Sequence, residues 1–100
     1  MDLGSVTCEI FSAHVGDRFQ VQLNESGWAT FELLSATQHK CLGNRSGARV
    51  PFCLTFRGPK TPIFPQKIYR FEHEVLGIFD VFAVPVGPDQ LGIQYDVQFS

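Results

Sequence analysis

A chain of 100 residues with 44% hydrophobic content, ten phenylalanines and one tryptophan carries enough apolar material for one core, which excludes a disordered chain and leads to the expectation of one domain. The net charge of −2 excludes little by itself, but the charge is segregated. Between Leu33 and Phe71 stand seven basic residues and no acid, while the rest of the chain sets Arg18 against ten acids.

The amino terminus, MDLGSVTCEIF, has no basic region and no apolar run of secretory length. No stretch approaches the roughly 18 apolar residues of a membrane helix. Cys8, Cys41 and Cys53 are an odd number without CxxC spacing and read as reduced thiols, so a cytoplasmic location is expected. A Cys41–Cys53 bridge is the alternative for a chain working outside the cell.

Residues 7 to 15, TCEIFSAHV, predict a short helix, with Thr7 as its N-cap, Glu9 in the first turn and Gly16 as its stop. In DRFQVQL, Phe19, Val21 and Leu23 alternate with polar residues, the period of a half-buried strand. Asn24 to Gly27 has hairpin composition and leads into WATFELLSAT, a second strand. Residues 38 to 50, QHKCLGNRSGARV, have no periodicity and predict a long basic loop of the kind that carries function.

Phe52, Leu54 and Phe56 alternate with Cys53, Thr55 and Arg57, and Tyr69, Phe71 and His73 with Arg70, Glu72 and Glu74. Pro59, Pro62 and Pro65 force a loop or an edge between these two strands. Val75-Leu76-Gly77 predicts a tight turn into IFDVFAVPV. That run is apolar on both faces, so it is read as a central strand or as a homo-oligomer face. Gly87 to Gln90 predicts a turn, and GIQYDVQFS alternates to the last residue, so truncating the carboxyl terminus is expected to unfold the protein. About six antiparallel strands with one short N-terminal helix make a single all-β domain over residues 1–100, either a small, partly open barrel or a two-sheet sandwich.

The segments PFCLTFRGP (51–59), PQKIYRFEH (65–73), LG (76–77) and VPVGPDQLGIQY (84–95), with Phe11, Val15, Gly16 and Phe19 ahead of them, resemble a family of small bacterial proteins classed only as a domain of unknown function. The resemblance spans nearly the whole chain. It implies a free-standing small β domain with an assembly or accessory role of the phage-tail kind, and it carries over no catalytic residue.

The sequence offers four candidate sites. The basic block offers Arg45, Arg49, Arg57 and Lys60 as a surface for an acidic protein or an anion, with Phe64 as a stacking aromatic. Against this stands pairing of the same residues with acidic strands. Glu72-His73-Glu74 cannot converge on a metal from one strand, so His73 is read as a core or turn histidine bonded to backbone. The cysteines lack a nucleophile elbow, and no Gly-rich phosphate loop is present, so no catalytic residue, cofactor or metal is expected. The segment around Ile63-Phe64 reads equally as an exposed apolar anchor or as a cap on the barrel end. The expectation is a non-enzymatic protein-binding module using loops 38–50 and 57–66, whose binding is lost when Arg45 and Arg49 are reversed. A nucleic-acid-binding barrel is the alternative, disfavoured by the overall acidic balance.

Overall fold

A computed structural model describes residues 6–38 and 51–99. A short helix, α1 (Cys8–Ser12), precedes six strands: β1 (Arg18–Gln22), β2 (Trp28–Gln38), β3 (Phe52–Gly58), β4 (Lys67–His73), β5 (Gly77–Pro88) and β6 (Ile93–Phe99). All pairings are antiparallel, and the strands close into a barrel in the order β1–β2–β3–β6–β5–β4, with β4 returning to β1. Each strand has one apolar face, and closure points all of these inward while leaving no unpaired edge. The sandwich alternative is therefore set aside.

The interior is a phenylalanine core. Phe19, Phe31, Phe52, Phe56, Phe71, Phe79 and Phe99 come from the barrel wall, joined by Tyr95, Leu33, Leu54 and Val97. Fully burying one such side chain is worth about 1.5–3 kcal/mol. The rings meet edge-on or offset, as in Phe19 against Phe56 at 5.2 Å and Phe52 against Phe99 at 4.5 Å between centroids.

Each mouth has its own plug. At one end α1 lowers Phe11 against Phe52, Phe79 and Phe99, with centroids 5.5–6.0 Å away. At the other, the connection from β3 to β4 passes β6 and β5 and drops Phe64 onto Phe31 and Tyr95. Its backbone N–H donates to Tyr95 Oη at 2.9 Å, which satisfies a buried hydroxyl and a buried amide together. Tyr69 Oη donates to the carbonyl of Pro65 in the same loop. The prolines make the loop irregular, and these tyrosines fix it.

Three local expectations need adjusting. The helix is shorter than residues 7–15: the N–H of His14 bonds to Phe11 O and that of Val15 to Ser12 O, so the chain tightens into a turn. Thr7 makes no side-chain cap. Gly16, at φ +94°, does end the segment, and its N–H and the carbonyl of Asp17 are both bonded to Leu33.

The turn expected at 87–90 lies at 89–92 instead. Gly87, at φ +143°, serves the β5–β6 register shift between Pro85 and Gly87, and the strand runs on to Pro88. A second shift between Leu33 and Ser35 passes over Leu34 in the β2–β3 ladder, so that Ala36 packs against the core.

Candidate functional site

Where α1 meets the barrel, three side chains far apart in sequence converge. Asp17 stands immediately before β1, and His73 ends β4, the strand beside it. His14 projects from the turn after α1. Asp17 Oδ2 lies 2.8 Å from His73 Nε2 and 2.9 Å from His14 Nδ1. The two imidazoles meet edge to face at 4.8 Å, and His73 also lies 4.6 Å from the Phe19 ring. These contacts hold the Asp17 carboxyl below its usual range, through the hydrogen bond from His73 first and that from His14 second.

The protons in this cluster follow from the geometry. His73 Nδ1 accepts from the backbone N–H groups of Val75 and Leu76, each at 3.1 Å. Its proton therefore sits on Nε2, which donates to Asp17. His73 thus ties the β4–β5 turn to the start of β1, as a turn histidine bonded to backbone was expected to do.

Two histidines and a carboxylate, with ligand atoms within 4.8 Å of one another, have the composition of a metal centre. Their protonation does not fit one. A neutral histidine bound through Nε2 carries its proton on Nδ1 and donates it outward. Here that proton would point at two N–H donors. The group is a hydrogen-bonded staple.

A shallow cleft of about 740 Å³ opens beside the staple, lined in part by Asp17, Arg18, Gln20, Glu72 and His73. The described thiols do not supply a nucleophile for it. Cys8 and Cys53 are free. Cys8 Sγ contacts Ser12 Oγ at 3.8 Å, and the Cys53 thiol is pushed up by burial, opposite to the direction that activates a cysteine. Cys41 and His39 lie outside the described residues.

The residues of the expected basic surface separate. Arg45 and Arg49 lie outside the described residues. Arg57 is engaged: its Nε is 2.7 Å from Asp89 Oδ2, and a guanidinium nitrogen is 3.9 Å from Glu32 Oε1. Asp89 in turn accepts from Gln94 Nε2 and from the N–H groups of Leu91 and Gly92. The Gln94 bond, then that of Leu91, holds its carboxyl far below the ordinary range. Arg57 and Asp89 thus clamp the β5–β6 turn onto β3.

Lys67 Nζ donates to the carbonyl of Leu23 and lies 5.0 Å from the centre of the Tyr69 ring. Arg70 is paired with Asp80. Lys60 is exposed on the β3–β4 loop. Phe64 is a correction: it is the buried cap of the barrel and not an accessible aromatic, because Tyr95 and Phe31 draw it inward. Ile63 beside it is exposed.

The outer face of β4 and β5 departs from a polar exterior. Ile68, Ile78 and Phe82 are 66%, 52% and 50% exposed. Ile68 sits directly across from Phe82, and Arg70 across from Asp80 in the next row. Val86 continues the strip along β5. The apolar run 78–86 announced this face: Phe79, Val81 and Ala83 fill the core, and the residues between them point outward. Asp17 was missed as a site residue, and its one sequence signal is the three-residue spacing from His14 at the end of a helix.

Among the described residues no helix is long and apolar enough to cross a membrane. No curated protein and no solved structure matches the chain. A family model does match, over residues 6–99, and the chain belongs to that family, described as a domain of unknown function (DUF6916).

Proposed function

We propose that the domain is a non-enzymatic protein-interaction module for assembly, and that it docks its partner on the outer face of β4 and β5. The observation that carries this reading is the exposed Ile68–Phe82 cross-strand pair with Ile78 four residues away along β5. Large aliphatic and aromatic side chains side by side on a rigid barrel wall offer apolar area with little ordering cost, as the centres of protein interfaces do. The described basic side chains favour a protein over nucleic acid, because Arg57 and Arg70 are already matched to carboxylates.

The test is capture with the tagged chain and with a Phe82→Lys variant, identifying bound protein and bound nucleic acid. The reading predicts a protein partner that survives a rise from roughly 50 to 200 mM salt and is lost in the variant. Nucleic acid released steeply over that range would contradict it.

A further inference from the structure

The outer face of β4 and β5 has a pattern that matches its own copy. Three cross-strand rows run across it: Ile68 with Phe82, Arg70 with Asp80, and Glu72 with Ile78. The middle row is an ion pair, Arg70 Nε to Asp80 Oδ1 at 3.2 Å, with both side chains about half exposed. The bordering positions are polar, with Gln22 and Gln20 beside Arg70 and Glu72 on β1.

We propose that this face pairs with a second copy of the same chain about a two-fold axis running along the strands, midway between β4 and β5. This rests on reading the face as the docking surface and names its occupant. Such an axis lays β4 of one copy over β5 of the other, so every row meets itself reversed. Ile68 faces the partner's Phe82, and Arg70 faces the partner's Asp80. Glu72 lies over the partner's Ile78.

The two ion pairs stack as an alternating square of charges. Each arginine then has a carboxylate beside it and another across from it, so neither member of the ion-pair row is left without an opposite charge. An unrelated surface would have to supply an acid and a base in the opposite order beside an apolar row. A second copy supplies them by symmetry, which is the defining property of an isologous contact. Two sheet faces packed in this way lie about 10 Å apart with their strands nearly aligned, the ordinary geometry of stacked sheets.

The ion-pair row gives a decisive test by sedimentation velocity. Wild type is expected to rise from one chain mass to two as concentration increases. Arg70→Asp puts two carboxylates in the middle row, and Asp80→Arg puts two guanidiniums there. Each variant alone is expected to associate at least about tenfold more weakly, through like-charge opposition. An equimolar mixture of the two is expected to recover the dimer, since acids of one copy then face bases of the other. Phe82→Lys, with an unchanged circular dichroism spectrum, is expected to stay monomeric and checks the face without touching the ion pair.

A mixture no heavier than its components overturns the proposal, as does a wild type that stays monomeric throughout. A monomeric wild type whose capture of another protein still depends on Phe82 overturns self-pairing alone. Capture indifferent to Phe82, with no self-association, overturns the docking face as well.

Discussion

Asp17 Oδ2 lies 2.8 Å from His73 Nε2, although 56 residues separate them in the chain. Through His73 Nδ1 the same ring caps the N–H groups of Val75 and Leu76. One buried side chain thus joins the β4–β5 turn to the entry of β1. Replacing it by an aromatic of similar volume keeps the packing and removes the bonds. His73→Phe is expected to destabilise the fold by about 1–3 kcal/mol, through the loss of its hydrogen bonds to a carboxylate and to two backbone amides. Urea denaturation of the two proteins measures this, and equal midpoints would show that the staple is idle.

The carboxylates of the staple and of the β5–β6 clamp are expected to contribute to the acid limb of stability. Both folded carboxyls lie below their usual range, Asp17 through His73 first and Asp89 through Gln94 first. A carboxyl depressed in the folded state stabilises fully above its unfolded value, near about 3.9. That stabilisation is lost as pH falls through the carboxylate range towards the folded values. Stability, followed by the urea midpoint from neutral to acid pH, is expected to drop below about pH 4. Asp17→Asn and Asp89→Asn are each expected to flatten that drop, and parallel curves for all three proteins would contradict the assignment.

Gly92 is fixed by a close approach of backbone to backbone. A Cβ at that position would lie 2.1 Å from the carbonyl oxygen of Gly58, so β3 or the turn must move to admit it. Gly92→Ala is expected to cost at least about 2 kcal/mol, since backbone yields less readily than a side-chain end. A thermal melt unchanged from wild type would show that the Arg57–Asp89 clamp tolerates a displaced turn.

Tyr95→Phe removes the acceptor of the Phe64 N–H and nothing of the ring packing. The expected loss is about 1–3 kcal/mol. Hydrogen exchange at the Phe64 amide is expected to accelerate more than exchange in the β3–β6 ladder, because the cap loosens before the barrel does. Equal acceleration at both sites would mean that the cap and barrel open together.

Alternation made most of the barrel wall legible. Phe19 and Val21, Phe52 to Phe56, Tyr69 to His73 and Ile93 to Phe99 all bury the face that period 2 assigns to them. The terminal strand was legible as structural, and it is inserted between β3 and β5. Closure was not legible, because it depends on the β3–β4 connection crossing a mouth, and periodicity says nothing about strand order. The two register shifts were hidden for a similar reason: one extra residue leaves composition unchanged. The staple was hidden because its partners share no local pattern beyond His14 and Asp17. Phe64 read two ways until Tyr95, 31 residues later, was placed beneath it.

The proposed interface lies on the β4–β5 face and not on the basic loops. Partner capture at matched salt by wild type, Phe82→Lys and the doubly reversed Arg45→Glu/Arg49→Glu chain tests it most directly. Loss of the partner with Phe82→Lys and retention with the doubly reversed chain are expected. Retention with Phe82→Lys and loss on reversing the two arginines would contradict it and move the interface to the loops.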